Sequence, residues 1–142
     1  REFMTKPLRL DDELQSLAEL HRFADWEFDL QSTQPFLERK KGAVIVTDPS
    51  QRILWTSCGF ARMTGYSYCE AFGRKPSFLQ GPATQEHVRA EIRDALLSRE
   101  AFEGDIINYR KSGELYTCSV RILPIFDQQQ QLVNFIALEE ER

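Results

Sequence analysis

The spacing of apolar residues changes period twice along this chain. Leu10, Leu14, Leu17, His21, Ala24 and Phe28 recur at alternating steps of four and three. That spacing predicts an amphipathic helix with an a/d seam of coiled-coil type, leaving Asp11, Asp12, Glu13 and Glu19 off the seam. Acidic residues at its start suit the positive end of a helix dipole. Such a seam fits two partners: the same helix in a second copy of the chain, or the chain's own domain. Residues 31–34 with Pro35 read as a break or connector.

From Gly42 onward short β-branched runs take over. Residues 42–48 end in Asp48-Pro49-Ser50, a turn, and residues 52–56 supply the second arm of a hairpin. Residues 58–64 and 67–72 read as short helices split by Gly65. Thr84 is placed to cap a longer helix whose buried stripe is Val88, Ile92, Ala95 and Leu96. Three strands follow. Residues 102–110 and 114–124 are joined at Lys111-Ser112-Gly113, where glycine accepts positive φ. After a polar loop of Asp127 and residues 128–131, all glutamine, comes the last strand, 132–139.

Strand parity sorts the side chains. Tyr116, Cys118, Val120 and Ile122 share one face, and Thr117, Ser119 and Arg121 the other. The first set is the apolar one, so Cys118 is predicted to point inward. Phe135, Ala137 and Glu139 share a face on the last strand. Glu139 therefore either turns inward or, through fraying near the end, stays in water. A buried carboxylate needs a partner or a proton, and Lys75 is a candidate partner.

Composition narrows the classes. The 142 residues allow one domain with an extension. Arg1-Glu2-Phe3 ahead of Met4 read as a cloning remnant, residues 4–40 as a helical extension and residues 41–142 as the domain. A formal net charge of −4 points away from nucleic acid. Arg39-Lys40-Lys41 is too short to reverse that and reads as a solvated linker. Apolar runs are a few residues long, so no membrane span is predicted, and no signal peptide is visible. The expectation is a cytoplasmic protein. Cys58, Cys69 and Cys118 are irregularly spaced, and His21 and His87 are the only histidines. Neither a disulfide framework nor a zinc site follows; reduced thiols do. No nucleophile stands with a base in any recognisable spacing, so no enzyme is expected.

The sharpest motif is Gly73-Arg74-Lys75-Pro76-Ser77-Phe78-Leu79-Gln80-Gly81-Pro82-Ala83-Thr84. It resembles the signature G-R-N-C-R-F-L-Q-G-P-A-T of LOV domains, the flavin-binding blue-light sensors of the PAS family. Val46-Thr47-Asp48, Met63-Thr64-Gly65-Tyr66-Ser67 and Asn108-Tyr109-Arg110-Lys111-Ser112-Gly113 resemble further LOV landmarks. The resemblance spans residues 42–140. It implies the PAS fold: an α+β domain with a five-stranded antiparallel sheet and helices on one face, here preceded by the N-terminal amphipathic helix.

Residue by residue, the resemblance assigns Thr47 to a pocket wall, Gln80 and Asn108 to contacts with the flavin, and Arg93 to its phosphate. Five positions depart from it. Pro76 stands where the family has its photoreactive cysteine, and a pyrrolidine ring has no thiol to form an adduct. Lys75 replaces a cofactor-binding Asn, Ser77 a phosphate-clamping Arg, Cys118 a second Asn, and Glu139 the switching Gln. Altered polar contacts of this kind sum to roughly 4–9 kcal/mol if additive, against about 8 kcal/mol for a micromolar site.

Three functions compete. The first is a PAS signalling and dimerisation module that forms no cysteinyl-flavin adduct and binds no flavin tightly. It would form a homodimer through its N-terminal helix, its sheet face or both, and act on an unknown effector. The second is an FMN photoreceptor working by photoreduction, with Trp55, Tyr66, Tyr68, Tyr109 or Tyr116 as electron donor. The third is a PAS sensor of another small ligand.

Overall fold

A computed structural model describes residues 10–142. Residues 1–9, on which the expected cloning remnant and the start of the expected extension fall, lie outside the described residues. Helix α1 runs Leu10–Phe23, a 3-10 turn Leu30–Thr33, and α2 Gln34–Glu38. Strands β1 (Gly42–Thr47) and β2 (Ile53–Thr56) follow. Next come α3 (Cys58–Thr64), α4 (Tyr68–Ala71), a 3-10 turn (Pro76–Leu79) and α5 (Glu86–Leu97). Strands β3 (Phe102–Tyr109), β4 (Leu115–Phe126) and β5 (Leu132–Glu141) close the chain. The five strands form one antiparallel sheet in the order β2-β1-β5-β4-β3. This is the α+β fold expected from the sequence.

The sheet lies between two layers. On its inner face Ala43, Ile45, Ile106, Tyr116, Cys118 and Val120 pack with Phe60, Met63, Leu79 and Val88 of the helices. On its outer face Val44, Val46, Ile125, Ile136 and Leu138 pack with Leu17, Trp26 and Leu37. A strand covered on both sides reads as a continuous apolar run rather than an alternating one. All six residues of β1 are buried, which accounts for its sequence.

The seam of α1 is thus spent on the chain's own sheet: Leu17 is buried there, with Leu10, Leu14 and Ala24 partly buried around it. Residues 31–34, read as a connector, are instead largely helical. Asp29 caps the 3-10 turn by accepting from the Gln31 N–H at 3.0 Å. Pro35 lies in the first turn of α2, where its missing N–H costs nothing.

Other local signals acted as expected or were diverted. Gly65 ends α3 at φ 79°, in the left-handed region. Ser67 and Glu70 form a reciprocal capping box on α4. Thr84 does not cap α5, whose N-cap is Gln85. Its hydroxyl instead donates to the Ile107 carbonyl at 2.6 Å and accepts from the Gly81 N–H at 3.0 Å. Strand β4 runs past Pro124. There β3 has already ended its pairing at Ile122, so β4 has an open side where a missing N–H breaks no ladder. Glycine is required at Gly59, where a Cβ would collide with the Gly42 carbonyl oxygen as α3 crosses the start of β1.

Candidate functional site

A cavity of about 120 Å³ lies between the inner face of the sheet and the segment from Pro76 to α5. Strand parity carries β-sheet side chains into it: Ile106 and Asn108 from β3, Val120 and Ile122 from β4, Phe135, Ala137 and Glu139 from β5. Ile45 and Thr47 of β1 complete the floor, and Pro76, Ser77, Leu79 and Gln80 form the opposite wall.

Of the residues singled out in the sequence, Thr47, Gln80, Asn108, Pro76, Ser77 and Glu139 therefore meet in one place. Pro76 opens the 3-10 turn, and Lys75 before it is extended at φ −80°, ψ 141°, as a residue preceding proline prefers. Three candidates do not line it: Cys118, which is buried in the inner core of the sheet, Lys75 and Arg93. Lys75 is exposed and does not line the cavity, so it is not the partner of Glu139. Arg93 points to solvent with 61 % of its side chain exposed, 4.0 Å from Asp94. Its reading as a surface residue of α5 is the structural one.

Glu139 turns inward and is only 7 % exposed. Burial pushes its carboxyl up to about 7, with a hydrogen bond from the Cys118 thiol pulling the other way. Its Oε1 has no hydrogen-bond partner among the described residues. Cys118 is fully buried as parity predicted. Desolvation first, then the Glu139 charge, hold its thiol well above the ordinary range. Tyr116 is likewise raised by burial and then by Glu139 and Cys118. Asn108, 6 % exposed, carries a second unpartnered oxygen, Oδ1.

Sequence reasoning missed two residues. Gln51 reaches the cavity because the hairpin turn holds it at φ 73°. The loop around Asp48 is bonded on both sides: Arg52 N–H donates to the Asp48 carboxylate at 2.9 Å and Gln51 N–H to the Asp48 carbonyl at 2.9 Å. Arg89, one turn before Arg93, is the partly buried arginine of α5, and its guanidinium donates to the Gly81 carbonyl at 3.0 Å. Its spacing of four from Arg93 was the available signal.

Much of the retained motif has structural work of its own. Tyr109 Oη accepts from the Ala83 N–H at 2.7 Å, and its ring fills the space a Cβ at Gly81 would need. With the two Thr84 bonds, these contacts fasten residues 81–84 to β3. Trp55, named as an electron donor, packs on the outer layer and donates to Ser16 Oγ at 2.8 Å.

A five-stranded antiparallel sheet whose inner face and helical cover enclose a cavity defines a sensory domain of the PAS type. The PAS domain family model matches residues 41–141, and the chain belongs to that family. Its structural neighbours include LOV domains. Phototropin-2 of Oryza sativa subsp. japonica is 40 % identical over 95 residues, which is 67 % of this chain and 10 % of that protein. A blue-light-activated histidine kinase of Brucella canis is 34 % identical over 114 residues, 75 % of this chain and 23 % of that protein. The chain thus spans a quarter or less of these two relatives. The light-state structure of the Aureochrome1 LOV photoreceptor superposes with a TM-score of 0.70 at 26 % identity, covering 77 % of this chain and 87 % of that one. The LOV domain of the Erythrobacter litoralis EL346 histidine kinase gives 0.66 at 28 %, covering 70 % and 94 %.

Proposed function

We propose that this chain is a LOV-type PAS signalling module that works without flavin photochemistry. The observation that carries the reading is Glu139, a buried carboxyl set in the cavity wall with no cation beside it among the described residues. An anionic flavin nucleotide would have to share the cavity with that group. Pro76 in the same wall offers no sulfur, so no cysteinyl-flavin adduct forms at that position. Ser77 supplies no charge, and Arg93 stands in solvent.

Size supports the same reading. A cavity of about 150 Å³ holds a benzene ring, and drug-sized ligands occupy roughly 300 Å³ or more. At about 120 Å³ this cavity suits the smaller class rather than three fused rings. The residues present do not fit FMN, and the bonds of Gly81, Ala83 and Thr84 give the retained motif a scaffolding role instead.

The module's role is relay and assembly rather than catalysis. A hydrogen-bonded path crosses the sheet from the cavity: the carbonyl of Thr47 accepts from Asn134 Nδ2 at 2.9 Å, and Asn134 Oδ1 accepts from Trp26 Nε1 at 2.8 Å. Trp26 follows α1, so the cavity and the outer layer share one polar link. A homodimer is the proposed assembly and a separate domain or protein the proposed effector.

The absorption spectrum of the freshly purified protein tests this reading. The expected result is a colourless protein that releases no flavin on denaturation, and Pro76→Cys leaves it colourless. Stoichiometric bound flavin would overturn the proposal and favour photoreduction without an adduct, with Tyr116 beside the cavity as donor.

A further inference from the structure

Two acceptors on cavity-lining residues lack partners among the described residues. Asn108 Oδ1 and Glu139 Oε1 are buried without a hydrogen-bond partner. Asn108 and Glu139 line the cavity. Tyr116 stands directly opposite Asn108 in the β3–β4 ladder and hydrogen-bonds to its side chain, outside the cavity wall. The amide oxygen and the ionised carboxylate only accept hydrogen bonds.

Among the described residues no lysine, arginine or histidine lines the cavity. Arg110 pairs with Glu141 at 2.6 Å and with Glu114 at 2.8 Å. Lys111 pairs with Glu70, and Lys75 is exposed. The rest of the cavity wall is mainly aliphatic, supplied by Ile45, Leu79, Ile92, Leu96, Ile106 and Val120.

We propose that the cavity binds a small organic cation: an ammonium group on an apolar body of a few carbons, its N–H donors directed at Asn108 Oδ1 and Glu139 Oε1. The proposal rests on the reading that the cavity holds no flavin. An ammonium offers three donors and no acceptor, which suits two acceptors in want of donors. A short alkyl body of benzene-like bulk or less suits about 120 Å³ of aliphatic space.

Binding is linked to one proton. Glu139, raised to about 7 by burial, must ionise to meet the cation. The other titratable groups facing it, Tyr116 and Cys118 of β4, are both raised and stay protonated in that range. The sides of the cavity formed by β1, α5 and the 3-10 turn present Ile45, Thr47, Ile92, Leu96, Pro76 and Ser77, none of them charged.

The test uses n-butylammonium, with n-butanol as its uncharged counterpart, on the intact chain and on Glu139→Gln. Calorimetry and thermal shift are the readouts. One equivalent of butylammonium should bind and raise Tm, more tightly at about pH 8 than at about pH 5.5. Loss of the charged hydrogen bond in Glu139→Gln should weaken binding about tenfold or more. Butanol should bind far more weakly than the ammonium. No response in the wild type, an equal response in Glu139→Gln, or an equal response to butanol overturns the proposal. Stoichiometric flavin in the purified protein overturns the flavin-free reading as well. A colourless protein indifferent to butylammonium overturns this inference alone.

Discussion

Two carboxylates at neighbouring in-register positions of β5 show how environment decides charge. Glu141 hydrogen-bonds to Arg110, and that contact holds its carboxyl below the usual range despite partial burial. Glu139 has no such partner among the described residues, and desolvation takes it from 4.5 to about 7. The folded state therefore keeps a proton that the unfolded chain releases between those values. Stability is unaffected below the lower value, falls as pH rises through the window, and levels off above about 7. The gap of about 2.5 pH units corresponds to roughly 3 kcal/mol in all. Glu139→Gln should remove this slope, being close to wild type at about pH 5 and up to roughly 3 kcal/mol more stable at about pH 8. Urea unfolding across that range checks it. A variant whose stability keeps the wild-type slope would show that another group carries it.

At the scale of elements, α1 is fastened by a cap it lends to α3. Ser57, the N-cap residue of α3, accepts from the Val44 N–H through its hydroxyl oxygen at 2.9 Å and makes no side-chain cap. The first amide of α3 is taken instead by Glu13 of α1, whose Oε2 accepts from the Cys58 N–H at 2.5 Å. Ser16 adds a second tie, to Trp55. Glu13→Ala should cost about 1–2 kcal/mol, the worth of a helix cap. Hydrogen exchange in α1 and the first turn of α3 should rise together, whereas exchange rising in α3 alone would mean that the contact does not hold α1. None of this was legible in the sequence, where Glu13 is one acid among several at a helix start. What was legible was local: the period-two parity that turned Cys118 and Glu139 inward, the Gly65 stop, and the Lys111-Ser112-Gly113 turn. What was not depended on partners distant in the chain. Thr84 was drawn off its expected cap by β3. Gln51 reached the cavity by a left-handed turn. Lys75 was directed outward by the proline after it.

Over the whole molecule, the two faces of the sheet have divided the work, with the cavity on one side and the N-terminal layer on the other. The sequence left the seam of α1 open between a second copy of the chain and its own domain, and the structure lays it on the sheet. A homodimer formed through α1 must then use what that packing leaves outside. Phe23, at the end of that helix, is 92 % exposed. A lone exposed phenylalanine is ordinary on a monomer, so only assembly can decide whether it has a partner. Leu14→Asp is a poor probe, because Leu14 packs in the outer core and its loss would loosen α1 itself. Phe23→Asp separates the two effects, since a side chain in solvent contributes little to folding. Sedimentation of the wild type should show a dimer and that of Phe23→Asp a shift toward monomer, with Tm in the dilute monomeric regime unchanged. A wild-type protein that stays monomeric at high concentration would remove the dimer from the proposed function. It would leave the relay through Thr47, Asn134 and Trp26 to act on an effector directly.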